Sequence, residues 1–263
     1  MSKKKTIQIQ LNFDRIIYTV VIFCLASEVV IVVLDILMNL AEFWYLEKFK
    51  KLSNVALEKS FGTWFSVVQN FIVAITALII SLHHKYISDH KGRFAGWILI
   101  AIFFAYISLD DHLVLHERIS GTFGPMIFNS LFSRPVTMPT YEWLFLLGPF
   151  FGAFGVFLFV FLYRQLKQKK YRLTLITGLL LWVAAVILDA WDGTSDPYDW
   201  FLKITGFKGI YIMHFFMLIE EMLEMLGSTL FLYLFLSHIK TQNLQSSIDK
   251  CGRNHRPPAK RVV

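Results

Sequence analysis

The sequence predicts an all-α fold, a polytopic membrane bundle of six transmembrane helices with both ends of the chain on the cytoplasmic side. Three observations predict it. Of the 263 residues, 56% are hydrophobic, and mean hydropathy is +0.53. Charged residues make up only 17%, below the roughly 25% of soluble domains. The apolar residues gather into six runs, which suit a hydrocarbon core of about 30 Å, and the basic residues gather between the runs on one side.

The first run, Ile16–Leu40, carries Glu28 and Asp35. It is long and lacks a small-x-small cleavage site, so it reads as a span and not as a signal peptide. Ala41–Ser60 sets Trp44, Tyr45, Phe49 and Leu52 among lysines, the pattern of an amphipathic helix on the outer surface. The second and third spans are Phe61–Leu82 and Phe94–Leu115, the fourth Trp143–Leu162. The fifth, Leu173–Leu188, is short; the sixth, Ile210–Leu236, is long enough to tilt or to project beyond the bilayer. Outer loops after the third and fifth spans hold Gly121, Gly124, Pro125, Pro135, Pro139 and Pro197 and can cover the outer mouth.

Orientation follows from Lys and Arg. With the N-terminus cytoplasmic, 18 of the 26 basic residues lie on the cytoplasmic side and 8 on the other, the asymmetry that sets topology. Residues 1–240 then form the transmembrane domain. Residues 241–263, polar, basic and containing Pro257-Pro258, read as a disordered cytoplasmic tail. The net charge of +7 sits where topology places it, so the expected partner is the lipid bilayer and not nucleic acid. Cys24 lies in the first span and Cys251 in the tail, which argues against a disulfide framework or a cysteine metal site. No internal repeat points to an inverted-repeat transporter, and oligomeric state is not legible.

The chemistry-bearing residues lie inside the apolar runs. Glu220, Glu221 and Glu224 interrupt a stretch from Gly209 to Gly227 that has no Lys or Arg. An ionised carboxylate in hydrocarbon is costly unless paired, protonated, metal-bound or wetted. Together with His214 these glutamates fall within an arc of about 120° on a helical wheel. The third span ends Ser108-Leu-Asp110-Asp111-His112-x-x-x-His116-Glu117. With Ser108 at zero, His112 falls at about 40°, His116 at about 80° and Asp111 at about 300°; Asp110 and Glu117 lie near 180–200°, on the other side. Ser108, Asp111, His112 and His116 are therefore the coherent subset. Glu28 and Asp35, seven apart, share a face, and Asp189 and Asp192 close the fifth span.

Two tiers result. The outer tier is Asp35, Asp111, His112, His116, Asp189 and His214; the deeper tier is Glu28, Glu220, Glu221 and Glu224. Imidazoles with carboxylates and no buried cation suit a divalent transition metal such as zinc, iron or manganese. The same groups can pass protons or hold a monovalent cation, with Glu28 and Asp35 on the path.

The segments Ser108–Glu117 and Glu220-Glu-Met-Leu-Glu-Met-Leu-Gly227, together with Thr63-Trp-Phe-Ser66, resemble an uncharacterised group of bacterial six-helix membrane proteins. That resemblance implies the fold and a bacterial inner (plasma) membrane location, and no activity. A second similarity is to the alkaline ceramidase-like membrane hydrolases, which use Ser-x-x-x-His, Asp and His-x-x-x-His elements around zinc. Ser108-x-x-x-His112 fits the first element, but the last span has only His214 and glutamates where that family carries its histidine pair, and that family has seven spans.

Three function classes follow. The leading one is a metal-dependent membrane hydrolase or lipid-modifying enzyme acting on a lipid or small molecule from the extracytoplasmic side. In it His112, His116 and His214 bind the metal, Asp111 or Asp189 completes or orients the set, and one of the three glutamates is general base. The second is a proton- or cation-coupled transporter. The third is a non-catalytic sensor or assembly partner.

Overall fold

The computed structural model describes residues 12–41, 47–86, 91–132, 141–194, 197–206 and 209–254. Among them no strand occurs, and six helices are long and apolar enough to cross a membrane. α1, Phe13–Asp35, begins after Asn12, whose side chain accepts the Arg15 backbone N–H, and runs on through a π-helical turn, Ile36–Leu40. α2, Glu47–Ser53, is short. α3, Phe61–Tyr86, and α4, Lys91–Leu113, form an antiparallel hairpin. α5, Leu115–Phe132, and α6, Glu142–Leu146, pack on each other beside the mouth of the bundle. α7, Gly148–Gln165, leads to α8, Lys169–Asp192, then short α9, Asp199–Thr205, and long α10, Gly209–Asn254.

Three spans differ from their sequence reading, the third and fourth for identifiable reasons. The third stops at Leu113 because Val114 adopts φ +50°, a conformation costly for a β-branched residue, and α5 starts a new direction at Leu115. The fourth is divided at Leu147, where Pro149 sits in the first turn of a fresh helix. The fifth is longer than Leu173–Leu188, since Lys169–Arg172 and Asp189–Asp192 join it. The backbone of α10 stays helical to Asn254, beyond Thr241 where the sequence reads as tail; residues 255–263 lie outside the described residues, as do Trp44 and Tyr45 of the amphipathic segment and Pro135 and Pro139 of the outer loop.

α10 is the central post, packed on α8, α3 and α1. Its approach to α8 depends on Gly227, where a Cβ would strike the Trp182 indole and lie 3.3 Å from the Gly178 carbonyl oxygen. On α3 the buried positions Gly62, Phe65, Ser66, Gln69, Asn70, Val73, Ala77 and Ile80 follow a 3/4 spacing, one face of a helix. The opposite face, with Trp64, Phe71, Ile75 and Ile79, is exposed for lipid. The core lies toward the end of the bundle where α3 ends and α4 begins. There Trp97, Phe104, Phe231 and Phe235 are fully buried, with Trp97 edge-on to Phe235 at 5.1 Å and Phe104 to Phe231 at 5.4 Å.

Candidate functional site

The opposite half of the bundle is polar inside. At its outermost level Asp35, completely buried, accepts from the Asn39 side chain at 2.8 Å and from the Val55 backbone N–H at 3.3 Å. Its second oxygen meets His214 Nε2 at 2.8 Å. The π-helical turn after Asp35 brings Asn39 back to it, so one carboxylate ties α1, the segment after α2 and α10 together.

The break at Val114 builds a second pair. Because the chain turns there, His116 is not on the helix that carries His112. Its Nδ1 meets Asp110 at 2.7 Å, and its backbone N–H donates to the other Asp110 oxygen at 2.8 Å. Asp110 thus anchors the first turn of α5, and Tyr106 also donates to it. Burial lowers the His116 pKa, but the Asp110 hydrogen bond and charge, with Glu117 and Asp189 behind it, outweigh burial and leave it above the ordinary histidine value. The wheel that grouped Ser108, Asp111, His112 and His116 assumed one continuous helix. With the break, His112 is exposed and Asp110 becomes the partner of His116. Ser108 donates to the Val67 carbonyl at 2.8 Å, a helix-packing bond, and does not engage His112.

Deeper, α3 supplies the partners. Asp111 accepts from Ser66 at 2.6 Å and Asn70 at 2.9 Å, and Asn70 in turn accepts from Ser228 of α10 at 2.9 Å. One residue along both helices, Glu28 Oε1 accepts from Thr229 at 2.6 Å and Gln69 at 3.0 Å. Gln69 also donates to Thr229. Glu28 Oε2 and Gln69 Oε1 are buried without a hydrogen-bond partner, two acceptor oxygens near the middle of the bundle.

Between these levels lie the glutamates. Glu221 is within electrostatic reach of Asp111 and Asp189, and Glu224 of Glu221, Asp111, Glu220 and Asp189. Glu220, Glu221 and Glu224 each stay partly accessible. Asp189 accepts from the Trp143 indole at 3.0 Å; Asp192 accepts from Tyr141 at 3.0 Å and Tyr198 at 2.6 Å. Both phenols are held well above their ordinary pKa, first by burial and then by the bond to Asp192. Trp143 also sets its ring edge to His116 at 4.9 Å. The segments around α6 and α9 thus cover this end of the bundle with aromatic groups that hydrogen-bond to the carboxylates of α8.

The fold therefore brings Asp111, Asp189, Glu220, Glu221 and Glu224 into one region, with His116 and Asp110 at its rim. It places His214 on Asp35 at the α1 side and Glu28 at the far end. His112, His116 and His214 do not converge. Among the described residues no three His, Cys, Asp or Glu side chains are arranged to hold a metal ion.

Residues 18–239 match a family described as a domain of unknown function, DUF8692. The chain belongs to that family. No curated protein and no solved structure matches it. The DUF8692 region includes every site residue from Glu28 to Thr229.

Sequence reasoning passed over Gln69, Asn70, Thr229 and Asp110. A signal for the first two was present: adjacent amides in the middle of an apolar span need partners for the same reason the glutamates do. Asp110 was hidden by the unforeseen turn at Val114.

Proposed function

We propose that the protein binds and moves protons or small cations, as a proton- or cation-coupled transporter. The observation that carries this reading is the gathering of Glu220, Glu221 and Glu224 around Asp111 and Asp189 with no basic partner: among the described residues no Lys or Arg forms an ion pair with any of them. A charge at the centre of a span costs about 3 kcal/mol on insertion scales, and such groups in membrane proteins mark ion and proton paths. The acids also occupy successive depths. Along α10 Glu221, Glu224 and Thr229 follow His214 by about 10, 15 and 22 Å, and Glu28 with its unpartnered oxygen sits at the last level. A path needs acceptors spaced in this way, whereas a single bound metal needs them converged.

The basic-residue asymmetry supports a chamber open to the extracytoplasmic side. Thr122 and Gln168 are both exposed and lie at opposite ends of the bundle. Thr122→Cys is expected to react with an impermeant thiol reagent from outside and Gln168→Cys is not; the reverse pattern inverts the chamber.

A second reading, a membrane hydrolase or lipid-modifying enzyme, rests on His116. Asp110 fixes Nδ1, and a histidine so oriented can take a proton at Nε2 as a general base. Reconstitution separates the two. Proteoliposomes carrying the protein and a pH-sensitive dye are expected to show proton movement driven by an imposed ion or pH gradient. Tight liposomes, together with stoichiometric metal and release of fatty acid or headgroup from added lipid, would favour the enzyme.

A further inference from the structure

At the aromatic end of the bundle a separate feature opens to the membrane. α4 begins and α7 ends there, and rings bridge the two helices, Trp97 to Phe161 at 5.8 Å and, further along, Phe103 stacked on Phe154 at 3.9 Å. Between them is a cleft of about 900 Å³. Its end is lined by Lys91, Arg93 and Arg164, all exposed, and among the described residues no carboxylate lines it. Among the described residues none of the three forms an ion pair.

Below the charges the cleft is apolar. Ala153, Val156, Phe157, Val160 and Phe161 line it at 3/4 spacing, so one stripe of α7 forms the wall. Gly96 fixes the floor: the Phe161 ring occupies the place where a Cβ on residue 96 would stand, and the same ring meets Trp97 edge-on at 5.8 Å. From Ala153 to Arg164 the stripe is about 16 Å long, close to half of a hydrocarbon core of about 30 Å. A cationic end followed by an apolar wall one leaflet deep matches one amphiphile, with an anionic head at the interface and an acyl chain running toward the midplane.

We propose that this cleft is a binding site for an anionic phospholipid, its phosphate held by Lys91, Arg93 and Arg164 and one acyl chain lying along α7. The site is independent of the carboxylate chamber. It lies beside the ring contacts that join α4 to α7, so occupancy strengthens the hold of the α3–α4 hairpin on α7.

The test uses the full chain purified in detergent, with thermal stability and native mass spectrometry as readouts. Dioleoyl-phosphatidylglycerol is expected to raise the melting temperature and to give a retained one-lipid adduct; dioleoyl-phosphatidylcholine is expected to do neither. The K91Q/R93Q/R164Q variant should need on the order of tenfold to a hundredfold more phosphatidylglycerol for the same response, because each basic residue contributes about one surface-charge increment of lipid attraction. Val156→Trp keeps the charges but fills the wall, and should lose the adduct as well; it decides the matter if the triple variant is itself less stable without lipid. Glycerophosphoglycerol, the headgroup without chains, should have no effect. An equal response to phosphatidylcholine, full stabilisation by the headgroup alone, or unchanged binding in both variants would overturn the proposal.

Discussion

Between His214 and Thr229, α10 offers the bundle His214, Glu220, Glu221, Glu224, Ser228 and Thr229; between Phe231 and Phe235 it offers Phe231, Leu232, Leu234 and Phe235, each at most 1% exposed. The change occurs within two residues. On the polar side the neighbouring helices answer with Asp35, Glu28, Asn70 and Asp111, and on the apolar side with Trp97, Phe104 and Leu175. Contact between helices in lipid gains no hydrophobic drive, because the chains outside are as apolar as the core. The aromatic half therefore holds the helices by close packing of large rings. The polar half is held by a few specific bonds and, among the described residues, leaves several acids without a basic partner. Stability is concentrated at one end and chemistry at the other. The His84, His238 and Gln242 cluster, with His238 stacked on Trp97, puts polar groups at the far edge of the aromatic half.

This contrast can be broken by substitutions on either side. The largest effect is expected at the aromatic end. Trp97→Ala deletes a fully buried ring that touches Phe161, Phe235 and His238 and should cost about 3–5 kcal/mol, read as a large fall in melting temperature in detergent. Next is His214→Ala, which leaves Asp35 buried without its main partner and should cost about 3 kcal/mol. His214→Ala with Asp35→Asn should recover part of that loss, because the stranded charge is gone; no recovery would mean the pair is not coupled.

A smaller effect is expected from pH at His116. Its folded pKa is raised by Asp110. The bond therefore contributes fully below the ordinary histidine value of 6.5, and the contribution is lost as pH rises through the higher folded value. Melting temperature should decline over that window in wild type. In Asp110→Asn the decline should flatten, while a wild-type profile that rises through the same window would contradict the assignment.

Six spans, their order and the burial of Glu28 and Asp35 were legible because apolar run length and 3/4 spacing depend on local sequence alone. Glu28 and Asp35 do share the buried stripe of α1 with Ile17, Cys24 and Ile31. Partner choice was not legible. His116 reaches Asp110 only because Val114 takes a left-handed conformation, which nothing in a Leu-Val-Leu run announces. His214 reaches Asp35 only because α1 and α10 run antiparallel in one register, fixed by the Glu28–Thr229 and Asp14–Lys240 contacts lower down. Spacing sets His112 and His116 on one face of a continuous third span, with His214 on the sixth, and so suggests a convergent histidine site. It failed to form because the third span ended before His116 and each of His116 and His214 found an aspartate of its own.

The central claim is that the unpartnered acids are there for function and not for stability. Glu221→Gln tests it most directly, with gradient-driven proton movement in proteoliposomes and melting temperature measured on the same preparation. Because a charge without a basic partner is removed, melting temperature should be unchanged or higher, while flux should fall on the order of tenfold or more. Full flux in the variant, or loss of the folded protein, would contradict the account and make Glu221 a bystander or a structural bond.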